Sequence, residues 1–105
     1  MDKNNIVLIP AYEPGETLDA LLDGLSTTGC TVVVVDDGSG PEYSERFRKA
    51  ASSATVLTHG VNRGKGRALK TGYEYIKDHC GPDSVIVTVD SDGQHSVRDA
   101  MMLCE

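Results

Sequence analysis

Asp90-Ser91-Asp92-Gly93-Gln94 is the stretch of this sequence richest in ligand chemistry. If the chain stays extended there, residues i, i+2 and i+4 point to one side. Asp90, Asp92 and Gln94 then converge as three oxygen donors. Hard oxygen donors with room left for phosphate oxygens suit Mg²⁺ or Mn²⁺. A turn rich in Asp and Gly that caps the next helix uses the same residues, and for an isolated D-x-D that plainer use prevails. Here the D-x-D follows an apolar run that reads as a strand, and Gln94 adds a third oxygen. The cation site is the preferred reading.

Two further constellations sit in similar places. Asp36-Asp37-Gly38-Ser39 follows Thr31-Val32-Val33-Val34-Val35. Asp-Gly-Ser is ordinary turn and cap chemistry, but two adjacent carboxylates exceed what a turn needs. One of them can accept hydrogen bonds from a ribose hydroxyl or a base N–H. Gly64-Lys65-Gly66 opens a helix and offers backbone N–H groups and an ammonium to an anion; a glycine turn with a solvated Lys reads equally well. The G-x-x-x-x-G-K-[ST] spacing of a P-loop and the G-x-G-x-x-G dinucleotide fingerprint both fail. His59, His79 and His95 are scattered. Surface or helix-cap roles are the expectation for the first two.

The elements that would carry these loops alternate along the chain. Ile6–Ile9 reads as a buried strand closed by Pro10. Leu18, Leu21, Leu22 and Leu25 repeat at i, i+3, i+4, i+7, the stripe of an amphipathic helix. Thr31–Val35 is β-branched and apolar on both faces, as a central parallel strand should be. Ser39, Pro41 and Glu42 spell a capped helix start, with Tyr43, Phe47, Ala50 and Ala51 as its apolar face. Thr55–Thr58 is a weaker strand. A helix follows from about Gly66 to Asp78, its stripe formed by Leu69, Gly72, Tyr73 and Ile76. Gly72 inside that helix costs about 1 kcal/mol against Ala, so close packing is the expected reason for it. Ser84–Val89 is a fourth strand, and Val97, Ala100, Met101 and Cys104 begin a last helical stripe. The βαβαβαβα order predicts an α/β fold with a mainly parallel sheet. All four loops that follow strands then share one edge, where ligands bind in open parallel sheets.

Composition narrows the function classes. The chain has 105 residues, 39% hydrophobic and 25% charged, which fits one globular domain. The formal net charge of −6 argues against nucleic acid as a partner. It leaves phosphate ligands open, because carboxylates can hold them through a divalent cation. The three cysteines, Cys30, Cys80 and Cys104, form no C-x-x-C pair. They read as free thiols of a reducing cytoplasm rather than zinc ligands. No run reaches a membrane-spanning length, and Ile6–Pro10 is too short for a signal peptide.

Taken together, Ile9-Pro10-Ala11-Tyr12-Glu13, Val35-Asp36-Asp37-Gly38-Ser39, Asn62-Arg63-Gly64-Lys65-Gly66 with Ala68 and Gly72, and Asp90-Ser91-Asp92-Gly93-Gln94-His95 resemble one family. It is the inverting GT-A glycosyltransferases of family 2, on the dolichyl- and polyprenyl-phosphate mannosyltransferase branch. The motifs match in order and spacing over nearly the whole chain. The resemblance implies a three-layer α/β/α Rossmann-like nucleotide-diphospho-sugar transferase fold, of which this chain is the N-terminal half. It implies that Pro10, Ala11, Tyr12 and Glu13 line a nucleotide pocket, that Asp37 contacts the base or ribose, and that Asp36 supports the loop. Asp90 and Asp92, with Ser91 between them, would hold Mg²⁺ or Mn²⁺ on the donor diphosphate. Gln94 resembles the extra metal ligand of that branch, and Lys65 would lie near the donor.

The activity so implied is transfer of a sugar, with inversion, from a UDP- or GDP-sugar to a polyprenyl phosphate or a saccharide. The resemblance places the acceptor site and acid/base residue beyond Glu105. No catalytic residue is therefore expected within 1–105, a single donor-binding unit cut short and inactive alone. An uncovered last helix with Val97, Met101, Met102 and Leu103 would favour a homodimer. A non-catalytic nucleotide-binding or regulatory module of the same fold is the alternative. A sugar-phosphate nucleotidyltransferase fits less well, since Pro10–Gly15 lacks the glycine-rich basic loop that group expects.

Overall fold

The computed structural model describes residues 5–80 and 85–89. Its elements are β1 (Asn5–Ala11), α1 (Glu16–Leu25), β2 (Thr31–Asp37), a 3₁₀ turn (Pro41–Tyr43), α2 (Ser44–Ala50), β3 (Thr55–His59), α3 (Lys65–Cys80) and β4 (Val85–Thr88). Among the described residues every strand pairing is parallel, and the sheet order is β3-β2-β1-β4. The expected α/β class and parallel sheet are what the chain adopts.

Alternation along the two central strands builds both faces of the core. Val7, Ile9 and Ala11 of β1, with Val32 and Val34 of β2, pack with Leu18, Leu21, Leu22 and Leu25 of α1 and Phe47 of α2. Ile6, Leu8, Val33 and Val35 turn the other way, onto Ala68 and Ile76 of α3. The sheet is thus the middle of three layers. The chain steps outward from β1 to β3, then α3 carries it back to β4 on the far side of β1. That reversal makes the carboxyl ends of β1 and β4 a topological switch point, where crevices open in such sheets.

Several local expectations shift. β2 runs on through both aspartates and β3 through His59. No side-chain cap forms at the start of the 3₁₀ turn or of α2; the Ser39 hydroxyl is used elsewhere, accepting from the Glu13 N–H at 2.8 Å. Ala51 is exposed rather than part of the apolar face of α2. On α3 the buried line is Ala68, Gly72 and Ile76, and Tyr73 stands 43% exposed. An i, i+4, i+8 line facing the sheet leaves Tyr73 on the flank. Close packing does explain Gly72: a Cβ there would meet the Leu8 side chain at 2.3 Å. Cys30 is a free thiol, and Cys80 packs against the core face lined by Ile6 and Leu8. Cys104 and the last helical stripe lie outside the described residues.

Candidate functional site

The carboxyl edge is organised around one carboxylate. Asp36 and Asp37 are consecutive on β2, so their side chains leave opposite faces of the sheet. Asp36 faces the α2 side and accepts the Ser39 N–H at 3.0 Å, closing the turn after β2. It also borders a cleft of about 340 Å³ with Ser44, Phe47, Thr58 and His59. Asp37 faces the α3 side and is 3% exposed.

Asp37 holds the loop after β3. Its Oδ1 accepts from His59 Nδ1 at 2.8 Å and from the Arg63 N–H at 2.9 Å. Its Oδ2 accepts from the Gly64 N–H at 2.8 Å and from Asn62 Nδ2 at 3.2 Å. Asn62 Nδ2 also reaches the Asp37 carbonyl at 3.2 Å. A carboxylate has about four accepting positions, and here all are filled from within the chain. Burial alone would raise the Asp37 pKa, but the hydrogen bonds from His59, Arg63 and Gly64 outweigh it and hold the carboxyl below its ordinary value.

The loops are also pressed together sterically. Gly38 sits at φ +75°, and a Cβ there would lie 2.2 Å from the Asn62 nitrogen and 2.3 Å from the Val61 carbonyl carbon. Only glycine permits that approach. The first loop joins through Ser39, whose Oγ takes the Glu13 N–H. Glu13 itself has φ +48°, a left-handed conformation unusual for its type. Pro10 and Ala11 end β1 as buried residues, while Tyr12 is half exposed beside them. The neighbouring Glu13, by hydrogen bond and then by charge, keeps the Tyr12 phenol above its ordinary pKa. That phenol stays an O–H donor at neutral pH.

The structure therefore brings Pro10–Glu13, Asp36, Asp37 and the 59–64 loop to one edge, with Lys65 opening α3 next to it. Asp90, Ser91, Asp92 and Gln94 lie outside the described residues. Val89, the last one described, is buried and donates its N–H to the Leu8 carbonyl at 3.0 Å, and β1 runs on from there to Pro10 and Ala11. Among the described residues no group of three His, Cys, Asp or Glu could hold a metal ion. No described helix is long and apolar enough to cross a membrane.

Two side chains at this edge were not among the expected site residues. His59 is not a surface or capping histidine: its side chain is 10% exposed, and its Nε2 lies 2.8 Å from Thr71 Oγ1 of α3. The signal was available in the strand pattern. Extending β3 by one residue sets His59 directly beside Asp37 in the parallel register. Asn62 was noted only as part of a motif. His79 does take a helix-end role, stacked on Tyr75 and bonded to its carbonyl.

Residues 6–102 match glycosyl transferase family 2. Uncharacterized protein MJ1222 of Methanocaldococcus jannaschii is 36% identical over 94 residues, which cover 89% of this chain and 37% of that protein. The undecaprenyl-phosphate 4-deoxy-4-formamido-L-arabinose transferase of Edwardsiella ictaluri is 28% identical over 110 residues, 94% of this chain and 32% of that protein. The chain thus spans well under half the length of these relatives. A crystal structure of S. aureus TarS, residues 1–349, superposes with a TM-score of 0.65 at 24% identity, covering 84% of this chain and 27% of that one. This likeness is one of fold.

Proposed function

The chain belongs to glycosyl transferase family 2, and from that premise we propose that it binds the nucleotide-sugar donor of an inverting sugar transfer. The observation that carries the proposal is the single edge at which Tyr12–Glu13, Asp36–Asp37 and the Asn62–Lys65 loop are fastened together. In this reading the nucleoside lies against Pro10, Ala11 and Tyr12. The phenol and Glu13 supply polar contacts. Asp37 serves the nucleotide chiefly by shaping the loop beneath it; contact with a base or ribose would require the Asn62 amide or another of its four donors to yield. Lys65 faces the donor phosphates from the start of α3.

Asp90, Asp92 and Gln94 are the residues that would hold Mg²⁺ or Mn²⁺. Their all-oxygen donor set suits either ion, and a bound cation would stabilise the leaving nucleoside diphosphate as a Lewis acid. The acceptor is of the polyprenyl phosphate or saccharide class. A phosphate acceptor is already a competent nucleophile and needs little help from a base. The mannosyltransferase-like branch and a cytoplasmic setting belong to the same proposal.

Calorimetry with UDP- and GDP-sugars, with and without Mn²⁺, tests it. Binding should require the cation and be lost in Asp92→Ala. Equal affinity in EDTA, or an unchanged Asp92→Ala variant, would contradict the reading.

A further inference from the structure

His59 is fixed at both ring nitrogens, which is more than a packing residue needs. Nδ1 lies 2.8 Å from Asp37 Oδ1, and Nε2 lies 2.8 Å from Thr71 Oγ1. Asp37 is ionised and can only accept, so Nδ1 carries the proton toward it. In the neutral ring Nε2 then accepts from the Thr71 hydroxyl, and a single tautomer is selected. The chain of bonds runs from α3 through the ring to the carboxylate, and from the carboxylate to the Arg63 and Gly64 amides.

We propose that His59 is a positioning residue of the donor site: oriented by Thr71, it locks Asp37 so that the Asn62–Gly64 backbone is already in its ligand-receiving form before the nucleotide arrives. The inference rests on the donor-site reading above for its ligand, but not for its geometry. An unfastened carboxylate could rotate, release the two amides and leave the loop to be ordered at the moment of binding. That ordering would appear as weaker affinity.

Three variants separate this role from bulk stability. His59→Phe keeps a ring but removes both polar atoms. His59→Asn keeps a donor near the Nδ1 position. Thr71→Val removes only the hydroxyl and is the conservative variant should His59→Phe fail to fold. Imidazole ¹⁵N shifts should report the proton on Nδ1 in the parent and in Thr71→Val alike, with only the Nε2 shift moving when the Thr71 hydroxyl is removed. Hydrogen exchange of the Arg63 and Gly64 amides should speed up about tenfold or more in His59→Phe and recover partly in His59→Asn. The Kd for the tighter-binding of UDP and GDP in Mn²⁺ should rise by a similar factor in His59→Phe and recover likewise in His59→Asn. Unchanged exchange at Arg63 and Gly64 would overturn the lock. Faster exchange with unchanged affinity would overturn its part in binding. If the parent binds neither nucleotide, the donor-site reading fails, while the exchange data still judge the lock.

Discussion

Asp37 is the residue on which the edge depends, and its energetics can be tested directly. Asn is nearly isosteric but replaces one acceptor oxygen by a donor NH₂. Whichever way the amide turns, a donor then faces donors: His59 and Arg63 on one side, or Gly64 and Asn62 on the other. Asp37→Asn should therefore destabilise the fold by about 2–3 kcal/mol, since hydrogen bonds to a charged group are lost and buried donors are left unmet. The pH dependence has a definite sign. A carboxyl whose folded pKa is depressed stabilises fully above its unfolded pKa, and that stability disappears as pH falls through the folded value. In urea melts the gap between parent and Asp37→Asn should be constant near neutrality. It should close only below about pH 4, the ordinary Asp range. A gap that persists unchanged to strongly acid pH would mean that the charge is not what holds the loop.

At the scale of elements, α3 does two things with one helix. Its inner line of Ala68, Gly72 and Ile76 packs on Leu8 and its neighbours, and Thr71, one residue before Gly72, reaches His59 at the edge. Helix and sheet are close because Gly72 has no side chain. Gly72→Ala gains about 1 kcal/mol of helix propensity, but the new methyl meets the side chain of Leu8, which is fully buried. Overpacking of that kind costs about 1–3 kcal/mol. We expect net destabilisation of about 1 kcal/mol in chemical denaturation, and faster exchange at Arg63 and Gly64 if helix displacement reaches Thr71. Higher stability in Gly72→Ala would show that the contact is looser than the geometry implies. Most of these elements were legible in the sequence because their patterns are local. The leucine stripe and the valine run each follow from one period. The parts that were not legible depend on pairing. Ser39 spells a cap yet serves Glu13, and His59 becomes meaningful only once β3 lies in register beside Asp37. No spacing along one chain segment encodes a neighbour 22 residues away.

For the molecule as a whole, the parallel order β3-β2-β1-β4 puts the reversal of direction between β1 and β4. The ligand crevice of such a sheet lies at that reversal, beside Pro10 and Ala11 at the end of β1 and Val89 just after β4. The common edge of the first three motifs was readable in sequence, and the fourth lies outside the described residues; the crevice itself required the strand order. A protein with net charge −6 that takes an anionic nucleotide needs a cation or local basic groups to offset repulsion. The central claim is therefore one of location: nucleotide and cation meet at the carboxyl edge. Paramagnetic broadening by Mn²⁺ in the presence of excess UDP or GDP measures this most directly, using the ¹⁵N-labelled chain with Mg²⁺ as the diamagnetic reference. Amides of Ala11, Tyr12, Glu13 and Gly38 and of the Asn62–Lys65 loop should broaden, while those at the opposite edge, such as Gly29 and Cys30, stay sharp. Broadening centred on the Gly29–Cys30 end, or none that depends on nucleotide, would contradict the account.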